Sequence, residues 1–186
     1  ANFAPLRLLS LLKHPYCAGG MNPIQFRHFV DQIELAVLRG PRPGDGLPAI
    51  AAALDDAELR HFFETHVIAN LAALIDCWQA PNPTLASLSD GIAEAAERLC
   101  ANVMDSNGAG ADRGAGAIEL WKNADGMAAS DLFRSLAADG RDSAIDAGDM
   151  PQILRQLLED INVHPFGTPH PRLAILGAVE ARMHLA

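Results

Sequence analysis

From Asp56 to Gln79 nothing in the chain breaks a helix. Apolar side chains return every three or four positions: Leu59, Phe62, Phe63, Val67, Leu71, Leu74, Ile75 and Trp78. That spacing marks one face of an α-helix. Some two dozen residues at 1.5 Å each make a rod of roughly 35 Å. An apolar face of that length has to be covered by other elements, so the chain is constrained to a helical bundle or helical domain. Asp55 or Asp56 suits the N-cap, and Ala80-Pro81-Asn82-Pro83 ends the run.

Composition points the same way. Hydrophobic residues make up 49% of 186 residues but aromatics only 5%, and alanine and leucine supply much of the apolar share. Sparse aromatic and β-branched residues favour helix over sheet. The length suffices for one large or two small domains with a real core.

The remaining helices read in order. Residues 5–13 form a short helix with Pro5 in its first turn, and the density of Leu6, Leu8, Leu9, Leu11 and Leu12 predicts deep burial. His14-Pro15 stops it, and residues 17–20 make a turn. Asn22-Pro23 opens a helix to Arg39 with Phe26, Phe29, Val30, Ile33, Ala36 and Val37 inward. A GPRPGDGLP link follows, then a short helix over 48–53. Beyond the long helix come residues 84–104, with Leu85, Leu88, Ile92, Ala95, Ala96, Leu99 and Val103 inward. Residues 105–117 are rich in Gly, Ala and Asp, and are expected to be a mobile surface loop or a boundary between helical subdomains. Residues 118–122 and 125–138 are helical, the latter with Met127, Leu132, Phe133 and Leu136 inward. Asp149 is the expected cap of a helix over 150–162 with Ile153, Leu154, Leu157, Leu158 and Ile161 inward. The Pro-rich stretch 163–171 then leads into Arg172-Leu-Ala-Ile-Leu-Gly177, the one strand candidate. A lone strand needs partners, which places its sheet outside this chain.

The net charge is −9. Grip on a phosphate backbone needs an excess of Lys and Arg, so the composition speaks against a nucleic-acid clamp built by this chain alone. No apolar run reaches membrane length, so no membrane contact is expected. Cys17, Cys77 and Cys100 fit no metal spacing and read as reduced, mostly buried thiols. Both chain ends read as cuts in a longer protein.

The search for chemistry is negative, with no catalytic, cofactor-binding or metal-binding residue assigned. GAGADRGAGAIE follows a helix, lacks a preceding strand and has no P-loop lysine. His61 and His66 are five apart and point in different directions, so Glu64 between them completes no HExxH. His28, beside Phe29, reads as a partly buried imidazole, and His164 and His170 flank the Pro-rich link without a nearby Cys or carboxylate. Asp139, Asp142, Asp146 and Asp149 do not match a calcium loop and read as caps and solvated charges. The serines lack a G-x-S-x-G context. Arg7, Lys13, Arg39 and Arg42 cluster loosely at the ends of the first two helices, and Arg172 and Arg182 bracket the last strand.

Two stretches resemble one family. LRLLSLLKHPYCAGGMNPIQFRHFVDQIELAVLRGPRPGDGL is similar to the central part of the AddB helicase–nuclease subunits in their alphaproteobacterial form, and HPRLAILGAVEARMHLA resembles their HPRL-x-I-x-G-x-x-EAR stretch. Trp78, Trp121 and the ILRQLL run fit in order between them, more loosely. The resemblance implies an all-α, irregular multi-helix bundle like the 2B insertion of superfamily 1 helicases. Residues 1–165 would be the helical domain. Residues 166–186 would be a Pro-rich link and orphan strand re-entering a motor domain absent from this chain. It implies a non-catalytic scaffold of a DNA double-strand break repair machine in the bacterial cytoplasm. The partners would be DNA and an AddA-type motor subunit, and ATP and Mg²⁺ would belong to the parent complex. The family's fifth helicase motif, T-x-H-x-x-K-G, is replaced here by Ile175-Leu-Gly-Ala-Val-Glu-Ala181, so no catalytic role carries over. Glu180 and Arg182 read as structurally ion-paired residues, the alternative being a place near DNA or the motor cleft of the whole protein. The alternatives are a free-standing helical interaction module and the ligand-binding domain of a transcriptional regulator.

Overall fold

A computed structural model describes residues 4–39, 44, 46–102 and 113–163. Each helix starts where the local chemistry favours it. Helix α1 (Pro5–Leu12) has Pro5 in its first turn. Helix α2 (Pro23–Ile33) is capped by Asn22, whose Oδ1 accepts from the backbone N–H of Ile24 (2.9 Å) and Gln25 (3.4 Å). It runs on unbroken into a π-helical turn, Glu34–Leu38. Removing the cap leaves those N–H groups without their acceptor. Asn22→Ala is therefore expected to cost about 1 kcal/mol in a urea unfolding titration.

Helix α3 (Leu47–Ala52) precedes the long rod expected from the sequence. The rod is built of three continuous pieces: α4 (Ala57–Phe62), a π-helical turn (Phe63–Ile68) and α5 (Ala69–Gln79). Asp56 caps it through Glu58 N and Leu59 N. Helix α6 (Leu85–Cys100) opens on a reciprocal cap in which Thr84 and Ser87 bond each other's backbone N–H. Helices α7 (Arg113–Trp121), α8 (Ala124–Asp139) and α9 (Met150–Glu159) complete the described fold.

The main core gathers α1 to α6. Phe26, Ile33, Leu54, Phe63, Val67 and Leu71 are fully enclosed there, each side chain contributing about 1.5–3 kcal/mol by leaving water. Phe29 stacks on Phe62 with ring centroids 4.7 Å apart. A second, smaller cluster joins Leu88 of α6 to Ala147 and Met150, with Trp78, Ile92 and Leu154 against it. Helix α6 is the shared wall, packed by α5, α7 and α8.

The turn at Cys17–Gly20 ties these pieces together. Ala18 N and Gly19 N both donate to the Leu99 carbonyl (2.8 and 2.9 Å), and Gly20 N donates to Ala101 O (2.8 Å). These bonds satisfy carbonyls at the end of α6 that no further helical turn can reach. The Gly19 carbonyl in turn accepts from His66 Nδ1 (2.8 Å) and Asn70 Nδ2 (3.2 Å) on the long rod.

One element of the expected fold class is corrected. Among the described residues there is no β-strand, and the one extended pairing is an isolated antiparallel bridge between Thr84 and Ala144. The fold described is all-α. The orphan strand expected at residues 172–177 falls outside the described residues. A short apolar run does not separate strand from helix by periodicity.

Several inward positions also differ. Leu6 is 77% exposed, because α1 turns Leu8, Leu12 and part of Leu9 to the core and Leu6 away from it. Met127 is 58% exposed, and α8 has no fully buried residue. Leu158 is 46% exposed. Asp149 makes no side-chain cap; Asp146 does, accepting from Gly148 N at 2.7 Å ahead of a short 3₁₀ turn. Helix α7 begins at Arg113, so residues 113–117 of the expected loop are helical. The rest of that loop lies outside the described residues.

Candidate functional site

The best-formed concavity lies between α3 and α5. Leu47, Pro48, Ile68, Leu74, Ile75 and Trp78 form its walls, with Gly46 and Gln79 at its edge, and its volume is about 400 Å³. It lies where the apolar stripe of the long rod is only partly covered. Phe62, Phe63, Val67 and Leu71 are buried in the main core, whereas Leu74, Ile75 and Trp78 are only half-buried. Gly46, at φ +88°, turns the chain so that α3 forms the opposite wall. The cleft has the size and the apolar lining of a binding pocket. It presents no nucleophile, general base or oxyanion donor set among its lining residues.

The loose basic cluster expected at the ends of α1 and α2 is a built ionic site. Glu34 is buried in the π-helical turn and is held by Lys13 Nζ and by Arg39 Nε (2.8 Å). Lys13 also reaches Asp31 at 2.9 Å. The Lys13 and Arg39 hydrogen bonds hold the Glu34 carboxyl below its ordinary range, and Glu34, then Asp31, raise the Lys13 ammonium. The sign follows from linkage. Glu34 contributes stability above an ordinary carboxylate value of 4.5, lost as pH falls through its lowered folded-state value. Lys13 contributes stability below an ordinary lysine value of 10.5, lost as pH rises through its raised one. In thermal melts across that range, Glu34→Gln is expected to flatten the acid-side loss of stability while leaving the slope at neutral pH unchanged. An identical acid-side slope in wild type and variant would contradict the role given to Glu34. Arg7 is exposed, and Arg42 lies outside the described residues.

The histidines go separate ways. His66 is half-buried and spends its Nδ1 on the Gly19 carbonyl, while His61 is exposed. His28, expected to be partly buried, is exposed and pairs with Gln32 Nε2 at 2.6 Å, because Phe29 rather than His28 faces the rod. His164, His170, Arg172, Glu180 and Arg182 lie outside the described residues. Asp139, Asp142, Asp146 and Asp149 are all exposed, and only Asp146 is tied into a cap by its side chain. Among the described residues no group of three or more His, Cys, Asp or Glu side chains is placed to hold a metal ion, and no helix is long and apolar enough to cross a membrane.

The cysteines are free thiols, with Cys17 and Cys100 buried and Cys77 half-buried. Burial pushes Cys17 up to about 12 and Cys100 up to about 11, and it raises Cys77 as well. The thiolate is the reactive form. Iodoacetamide at neutral pH is therefore expected to leave Cys17 and Cys100 unlabelled in the folded protein and to label both once denaturant is added, as read by peptide mass spectrometry.

A polar groove at the start of α6 carries Arg134 and Arg141 beside Thr84, Ser87 and Asp90. It is not an anion cradle built on helix N–H groups. Leu85 N donates to Ser143 O, Ala86 N to Gly140 O, Ser87 N to Thr84 Oγ1 and Leu88 N to Thr84 O. Sequence reasoning missed the α3–α5 cleft, because it treated Leu74, Ile75 and Trp78 as core.

Comparison with protein-family models, with curated proteins and with solved structures finds no match to this chain.

Proposed function

We propose that the chain is a helical insertion of an AddB-type helicase–nuclease subunit, acting as a non-catalytic scaffold that shapes a DNA channel and seats neighbouring subunits. The observation that carries the reading is the AddB-like first segment. Within it, Lys13 of the LLKHP run and Arg39 of the LRGPRP run both bond Glu34. A passive role is supported by the partners of the cations. Lys13, Arg39, Arg98, Lys122 and Arg134 each pair with a carboxylate of the chain itself. Cations neutralised internally release few counterions from DNA. In this reading DNA and an AddA-type motor subunit are the partners, ATP and Mg²⁺ act elsewhere in the parent complex, and the setting is the bacterial cytoplasm.

Titrating the chain onto a single-strand/double-strand DNA junction at rising salt tests the scaffold role. Weak binding with a shallow salt slope is expected. Tight binding whose logarithm falls steeply with salt would overturn it. The α3–α5 cleft favours a second reading, a helical interaction module that receives an apolar group of a partner protein. Narrowing the cleft with Ile75→Trp leaves the first reading untouched and abolishes partner capture under the second.

A further inference from the structure

We draw no further inference here: the strongest candidate, the apolar cleft between α3 and α5 walled by Leu47, Pro48, Ile68, Leu74, Ile75 and Trp78, carries none because nothing in the structure shows what covers it.

Discussion

A Gly19→Ala variant is expected to lose about 2–5 kcal/mol of folding stability, the sum of left-handed backbone strain and overpacking. Gly19 sits at φ +55°, where a Cβ is disfavoured. A Cβ there would also stand 2.6 Å from Phe26 Cε2 and 2.9 Å from the His66 carbonyl oxygen. Phe26 is fully enclosed and the His66 carbonyl is backbone, so neither can yield cheaply. The turn is also the junction of α1–α2, the long rod and α6, so a shift there strains the Leu99, Ala101, His66 and Asn70 bonds together. Gly46→Ala is the control. Its φ is +88°, but the nearest atom to an added Cβ is Pro48 Cδ at 3.7 Å, so only the strain of about 1–2 kcal/mol applies. Urea midpoints measured with unchanged m-values separate the two. Equal losses in both variants would show that crowding at Gly19 plays no part.

The second large effect is expected at Gly116→Ala. An added Cβ would fall on the Glu97 carbonyl oxygen, 2.7 Å from its carbon and 2.8 Å from Ala101 N. The α6 backbone cannot move aside, because α5 and α8 pack on it as well. Helix α7 must therefore lift, at about 1–3 kcal/mol. Lifting takes Trp121 Nε1 away from Glu97 Oε1, now 2.9 Å distant, and from Phe133, with ring centroids 6.0 Å apart. In a Trp78→Phe background, Trp121 emission is expected to shift red in the Gly116→Ala variant while the helical far-UV signal is retained. Unchanged emission and stability would mean that Gly116 does not set the approach of α7 to α6.

Gly116 also shows what the sequence could and could not tell. A run of Gly, Ala and Asp reads as loop because its residues bury little and glycine costs helix stability. Here one of those glycines lets two helix backbones touch, and that need is visible only once α6 is in place. The rod over 57–79 was legible because a 3.6-residue period and a capping Asp56 are local signals. Its two ends met different fates. Phe62 meets Phe26 and Phe29 of α2, whereas Leu74, Ile75 and Trp78 are only partly covered and line a cleft. Periodicity reports which side chains share a face but not whether anything covers it. The same limit explains Leu6 and Met127, apolar residues on helix faces that stay exposed. The ionic site was half legible. Lys13 and Arg39 were visible as cations near helix ends, but their shared anion, Glu34, is brought to them by a π-helical turn that no periodic pattern announces.

Sequencing the genomic reading frame on both sides of this chain tests the proposal that it lies inside an AddB-type subunit. Under that proposal a degenerate nucleotide-binding region is expected upstream and a D…E-x-K nuclease site downstream in the same frame. A reading frame that closes around these 186 residues, with neither region present, would contradict it.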